Sequence, residues 1–489
     1  MRLPLPIAQG FYIDESLPVS SQQCVNFRPH IPQTQTITTG ALIGTEGISL
    51  AVDLIDINRG AWVMNDVAYE VNGNKLYAVS FSEDIDGNRT YSYTDVTGAE
   101  FIEGSAKVVM ADNGTQLLII APDANITFNA WIYTVAGGLA QIIDSDFRGP
   151  VSHCCYMDGY FVFVQANSNV FFISDLRDGF SYNALDFASA ESDPDKLVAL
   201  IPFAGILYPF GSKTFEQWQN PGTTGAGFPF TKATSGNHNK GCAAPLTLTE
   251  FNGGIIFIGG GAKERPAVWF TNGGEPVKVS TPAVDILINS GGSENISLAY
   301  QVNWSLNGRN CIAFTIPNVC TIEFDATTTT WYERKSLSDS GDETPWRVSS
   351  LIPAYSVFLV GDSSTGNIGV MSEDVFTEYG NRIRSYFTTP SMDNNGLPFT
   401  VDSLELFMET GTAPISGAGS NPVIRLGVSE DAGRSFDPDI SRDIGITGDY
   451  ENVVSWDLLG RFPRSFTPKI ICDEPIKKVI VKGWLNISA

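Results

Sequence analysis

The chain has 489 residues, 43% hydrophobic and only 17% charged, with 47 glycines, 30 phenylalanines and 16 tyrosines; this exceeds one ordinary core, excludes a disordered chain and favours β structure. A formal net charge of −24, from 54 acidic and 30 basic residues, repels phosphate and makes the chain as a whole a poor non-specific nucleic-acid binder. Seven cysteines without a CxxC pair, and only His30, His153 and His238 beside them, argue against a disulfide framework and a His-rich metal site, leaving buried free thiols as the expected state.

Residues 1–40 read as an irregular arm, because Pro4, Pro6, Pro18, Pro29 and Pro32 interrupt any regular element. Such an arm is expected to lie on the surface of its own domain or of a neighbour. The N-terminus has no signal-peptide core, and no apolar run approaches the roughly 18 residues that span a membrane. The expectation is a soluble chain with no membrane insertion.

From residue 41 a repeat appears: a small turn ending in Gly, then an apolar run. Its turns are Asn72-Gly73, Asn113-Gly114, Asp158-Gly159, Ala204-Gly205, Asn252-Gly253 and Asn307-Gly308, with a degenerate seventh copy at Tyr355-Ser356. Successive glycines are 41, 45, 46, 48 and 55 residues apart. Asn-Gly and Asp-Gly supply the positive φ of tight hairpins. Residues 160–164 (YFVFV) are apolar on both faces, as a strand packed between two neighbouring sheets must be. Short-strand units of about 40–50 residues fit β-propeller blades; β-sandwich domains would run to about 100 residues each. The repeat predicts a propeller of six or seven blades over residues 41–372, with residues 41–54 completing the last blade to close the ring.

After Gly369 the pattern changes to partly alternating strands near residues 381–387, 401–408, 423–428, 453–458 and 477–482, with a Gly/Pro/Ser-rich break at 411–422. Alternation on short strands predicts an antiparallel β-sandwich over residues 373–489. The predicted fold class is therefore all-β: a propeller followed by a sandwich.

No catalytic constellation stands out. Asp178, Asp186, Glu191, Asp193 and Asp195 crowd the stretch 171–220, between two apolar strand clusters. Paired carboxylates there would suit a glycosidase or calcium, yet the D-x-[DN]-x-[DN]-G spacing is missing; an interface loop or a solvated surface is the plainer reading. Ser429-Glu430-Asp431-Ala432-Gly433-Arg434-Ser435-Phe436 resembles a single Asp box, and a plain hairpin turn is the expectation. The C-terminal 29 residues carry Arg461, Arg464, Lys469, Lys477, Lys478 and Lys482 against Asp473 and Glu474. These cations read either as edge lysines and arginines that prevent aggregation or as a docking patch for an acidic partner.

The stretch 171–220 also carries a resemblance. Phe172-Ile173-Ser174-Asp175-Leu176, Tyr182-x-Ala184, Phe187-Ala188-x-Ala190-Glu191-Ser192-x-Pro194-Asp195 and Phe210-Gly211-Ser212-x-Thr214-x-Glu216 resemble the packaged-DNA stabilisation proteins, the tail hubs of short-tailed bacteriophages. Gly40-Ala41-Leu42, Gly73-x-Lys75-Leu76-Tyr77 and Trp456-x-x-Leu459-Gly460-Arg461 look like further family segments. The resemblance implies a virion structural protein with no enzymatic activity and no cofactor, assembled in the host cytoplasm. It implies a homo-hexameric ring beneath the portal-bound adaptor ring, extending the DNA channel and helping to retain the packaged genome. It further implies attachment of a tail needle or plug and of tail fibres or tailspikes, with DNA passing through without specific binding. The alternative from the residues is a carbohydrate-binding or glycoside-cleaving propeller acting through Asp193 and Asp195, weakened by the lack of repeated Asp boxes.

Overall fold

A computed structural model describes all residues except 35, 123–127, 192–194, 223–226 and 489, and the side chains of 234 and 235 are not described either. Seven antiparallel sheets follow one another around a ring. The first four are Asn58–Met64 to Arg89–Asp95, Val109–Asp112 to Gly138–Gln141, Val151–Met157 to Asp178–Ser189, and Leu197–Phe203 to Thr231–His238. The fifth carries Thr249–Phe251 and Gly241–Cys242 on Gly254–Gly260, then Ala267–Thr271 and Val277–Lys278. The sixth is Tyr300–Leu306 to Thr330–Leu337. In the seventh, Val348–Ala354, Val357–Asp362 and Asn367–Ser372 receive Gly47–Asp53 as their outer strand. The ring thus closes non-covalently, as expected, but with a narrower piece of residues 41–54; Ala41–Gly44 pairs elsewhere.

Each pair of neighbouring blades shares a cluster of buried side chains. Leu76 and Leu117 belong to the first seam, Ile132 and Phe163 to the second, and Val162 and Leu207 to the third. Phe210 and Phe257, Ile258 and Phe314, Trp304 and Val360, and Leu359 and Val79 continue around to blade one. This explains strands apolar on both faces: each middle strand packs against two neighbours, and each buried Phe or Leu contributes roughly 1.5–3 kcal/mol.

The repeated turns join the first and second strands of the blades. Asp158-Gly159, Ala204-Gly205, Asn252-Gly253, Asn307-Gly308 and Tyr355-Ser356 each have two successive positive φ angles, the geometry of a type I′ hairpin. Blade one departs from the expected register. Asn72-Gly73 joins its second and third strands, and the equivalent first turn is Asn65-Asp66, with φ of 51° and 61°. Asn and Asp tolerate that conformation without glycine, so the first unit begins one strand earlier than the glycine spacing predicts. Two helices, Pro282–Asn289 and Gly292–Ser297, link blades five and six. The first begins with Thr281 as N-cap and Pro282 in its first turn, a start signal available in the sequence.

The C-terminal residues form two packed sheets, but not alone. One runs Val454–Phe462, Phe399–Met408, Val479–Ser488, Ala41–Gly44, Phe27–His30, with Arg2–Pro4 also on Val479–Ser488. The other extends blade six: Thr330–Leu337 continues through Cys24–Val25 to Ser385–Thr388, Ser465–Cys472, Val423–Ser429 and Ile440–Asp443. Residues 1–40 are therefore not simply an irregular surface arm. Their prolines cut the segment into short strands, and the sandwich core takes in Leu5, Ile7 and Phe27 beside Trp456, Phe466 and Leu485.

Where arm, blade six and linker meet, a charged cluster is buried. Glu46 is fully buried and faces three guanidiniums: Arg309, Arg334 at 3.3 Å and Arg28 at 3.8 Å. Arg334 also donates to Glu323 at 3.1 Å, and the Tyr332 hydroxyl donates to the other Glu323 oxygen at 2.5 Å. Glu373 of the linker receives Arg28 at 3.3 Å and Arg309 at 3.1 Å. Burial alone would raise the Glu46 carboxyl; Arg309, Arg334 and Arg28 overcome it and hold it at about 2. Because the folded value lies below the ordinary one of 4.5, Glu46 stabilises the fold in full above that value and loses its contribution as pH falls towards about 2. Glu46→Gln is expected to cost about 3–5 kcal/mol at neutral pH by leaving buried cations unpaired. Urea unfolding should show that gap between wild type and variant narrowing as the solution is acidified from pH about 5 towards about 2.

Candidate functional site

The acidic stretch does not converge on one point. Asp178 opens the outer strand of blade three, accepting from the Phe180 amide at 3.0 Å and from Gln116 of blade two at 3.4 Å. Asp186 lies midway along that strand, half-buried, its carboxyl raised by burial and by nearby Asp175. Glu191 is exposed beyond the strand end, and Asp193 falls outside the described residues. Asp195 caps a turn: it accepts from the amides of Lys213 at 2.7 Å and Thr214 at 3.2 Å and from the Thr214 hydroxyl at 3.3 Å. Among the described residues, no group of three His, Cys, Asp or Glu is placed to hold a metal ion.

This geometry accounts for the motif Phe210-Gly211-Ser212-x-Thr214-x-Glu216. Phe210 and Phe215 stack at 4.5 Å between ring centroids, and Asp195 crosses to cap the turn between them. A Cβ on Gly211 would run into the Asp195 carboxylate. Glu216 is buried, accepting from the Trp218 indole at 2.8 Å and from Lys232 at 2.8 Å.

The basic C-terminal residues separate into different environments. Lys478 is buried and donates to the Ile383 carbonyl at 2.8 Å and Ser385 Oγ at 2.9 Å. It is thus an interior tie, unable to meet a partner. Lys469 is half-buried with its ammonium 4.1 Å from the Tyr386 ring centroid, and burial lowers its proton affinity. Lys477 is exposed and paired with Glu409 at 3.0 Å. Arg461 and Arg464 flank the hairpin between Val454–Phe462 and Ser465–Cys472, are exposed, and make no ion pair among the described residues. In the same strand as Arg461, Leu458 is 91% exposed at a positive φ of 59°. Arg461 also lines a cleft of about 250 Å³ with Leu426, Ile440 and Leu459.

The 429–436 turn is more than a plain hairpin. Asp431 accepts from the amides of Arg434 and Ser435 at 2.9 Å each, from Ser435 Oγ at 2.6 Å and from Ser429 Oγ at 2.7 Å. Those bonds hold its carboxyl well below the usual range. That is the bonding pattern of an Asp box, and Gly433 packs against Ser21 of the N-terminal segment. Its role here is to fix a turn.

Fold and surface together define an all-β protein: a seven-bladed propeller, among the described residues, bound to a sandwich that shares strands with its N-terminus. Comparison with known proteins is more specific. Residues 2–376 match the family described as bacteriophage P22 Gp10, beta-propeller, and residues 384–483 match bacteriophage P22 Gp10, beta-sandwich. The chain belongs to this family of bacteriophage tail-hub structural proteins. It is 22% identical over 362 residues to the tail hub protein gp10 of Salmonella phage P22, covering 72% of this chain and 73% of that one. Among solved structures, the computationally designed Ika8 protein gives a TM-score of 0.39 at 13% identity, covering 67% of this chain and 99% of its own. The Pan2 WD40 domain of Neurospora crassa gives 0.38 at 8%, covering 65% and 89%. No helix among the described residues is long and apolar enough to cross a membrane.

The turn-cap reading has a direct check. Asp195→Ala is expected to lower stability by about 1–2 kcal/mol, and Gly211→Ala by about 1–3 kcal/mol through crowding. Combined, they should cost less than the two added together, since removing the carboxylate makes room for the new methyl; thermal unfolding of the four chains measures it.

Proposed function

We propose that six copies of this chain form a ring beneath a portal-bound adaptor, extending the channel through which phage DNA leaves and helping to retain the packaged genome. The ring also seats a needle or plug and carries fibres or spikes, and it acts without enzymatic turnover. Assembly takes place in the host cytoplasm, and the finished protein resides in the virion tail. The observation that carries this reading is that both domain types of the P22 Gp10 family match this chain in order, from residue 2 to residue 483. The physics is consistent with it. A closed ring of blades is a rigid support whose loops and edges remain available for partners. A net charge of −24 lets DNA slide past without adhering.

Arg461 and Arg464, with Leu458 exposed in the same strand as Arg461, form the docking patch in this proposal. An arginine pair and an exposed apolar side chain suit an acidic partner surface with an apolar centre. The acids Asp178, Asp186 and Glu191 line the outer edge of blade three, where a neighbouring subunit or partner would meet them.

Purified protein is expected to form rings in negative stain or to co-purify with its adaptor ring; a strictly monomeric chain absent from the particle would refute the hub. Arg461→Glu with Arg464→Glu should weaken attachment to the particle, and the deficit should depend on salt. Lys478→Glu should instead lower folding stability, because that side chain is interior.

A further inference from the structure

The propeller axis encloses a cavity of about 550 Å³, within the range typical of small-molecule sites. The first strands of the blades line it. In six of the blades that strand ends its sheet, so most of its axial edge of backbone amides and carbonyls has no ladder partner; on blade six the Gln301 amide is an exception, donating to the Leu246 carbonyl at 3.1 Å.

Two cations stand at the end where these strands begin, Arg59 buried and Lys107 half-buried. Lys107 precedes the first strand of blade two. Its ammonium reaches past blade one to blade seven, donating to the Ser349 carbonyl at 2.6 Å and Ser349 Oγ at 2.7 Å. It also lies 3.8 Å from the centroid of the Tyr300 ring on blade six. Arg59 of blade one donates to the carbonyls of Ala106, Gly73, Ile102 and Glu103, at 2.7–3.0 Å. Gly60 permits this approach, since a Cβ there would lie 2.7 Å from Val108 Cγ2.

Neither cation has a carboxylate within ion-pair distance among the described residues, whereas buried Arg309, Arg334 and Arg347 each do. Carbonyl dipoles satisfy hydrogen bonds but leave the net charge uncompensated in a low-dielectric site. The one acidic residue on the cavity wall, Asp112, ends its strand towards the other mouth and accepts from the Trp62 indole at 2.7 Å. In a chain of net charge −24, this is a local reversal of sign inside a cavity.

We propose that the axial cavity binds a small oxyanion, a carboxylate or phosphate on a low-molecular-weight compound, with its negative oxygens against Lys107, while the Arg59 guanidinium is spent on carbonyls outside the cavity wall. A DNA duplex does not fit this volume, so the site is separate from any genome channel. The proposal does not depend on the hub assignment.

Burial draws the Lys107 ammonium down to about 7, so the free site loses its charge as pH rises and anion binding should fall with it. Titration calorimetry on the full chain at about pH 6 and low salt, with succinate and with inorganic phosphate as probes, tests this. Saturable one-site binding of at least one probe is expected, and the preferred probe tells carboxylate from phosphate chemistry. Lys107→Gln should weaken that binding by at least about tenfold, and Lys107→Arg should retain it. No saturable binding of either probe, or equal binding by a folded Lys107→Gln chain, would overturn the proposal. If Lys107→Gln fails to fold, wild-type binding of succinate, predominantly a dianion across the range, decides between about pH 6.5 and about pH 9: a fall supports the site, and unchanged affinity overturns it.

Discussion

Much of this architecture depends on one buried carboxylate. Glu46 sits between the sandwich strand Ala41–Gly44 and the ring-closing strand Gly47–Asp53, and it is held by Arg28, Arg309 and Arg334. Apolar packing would hold the blades and the sandwich separately, but it has no preferred direction. The ion cluster supplies direction: it fixes where the chain leaves the sandwich and enters the propeller. Such clusters add little net stability over a well-packed apolar substitute, and their best-attested use is to specify one arrangement among several.

That constraint bears on function. A ring closed by its own N-terminal segment cannot open without also disturbing the sandwich, because residues 1–53 contribute strands to both. Blade six is continuous with a sandwich sheet through Cys24–Val25. Joining ring and sandwich through shared strands and a charged clasp holds the two in fixed relation, which suits the proposed hub role better than a flexible linker would.

The fold was legible where physics is local. Residues 160–164 announce a strand packed on both faces, and Asp158-Gly159 announces its turn. Blade one was misread because its diagnostic turn, Asn65-Asp66, lacks glycine, while Asn72-Gly73 supplies a second glycine turn in the same sheet. The arm was illegible because its partners are remote: Pro4 pairs with Trp484, and no local pattern reports that. The acidic stretch looked like a site because Asp195 appears free in sequence, and only the fold brings the Lys213 and Thr214 amides to it. Glu323, set between Ile322 and Phe324 in its strand, was the available signal for the buried cluster, whereas Arg334 lies in the charged run Glu333-Arg334-Lys335 and gave none. Lys478 could not be told from a surface lysine until its carbonyl partner, Ile383, was in place.

The central claim is that propeller and sandwich form one cooperative unit clasped by the N-terminal segment. Native-state amide hydrogen exchange tests it most directly, because protection reports the free energy of each local opening. The amides of Val25, Leu42 and Ile48 are expected to exchange only as slowly as those of Phe324 in blade six and Ile470 in the sandwich, through a common opening. Rapid exchange of the N-terminal strands while blade six and the sandwich stay protected would contradict it.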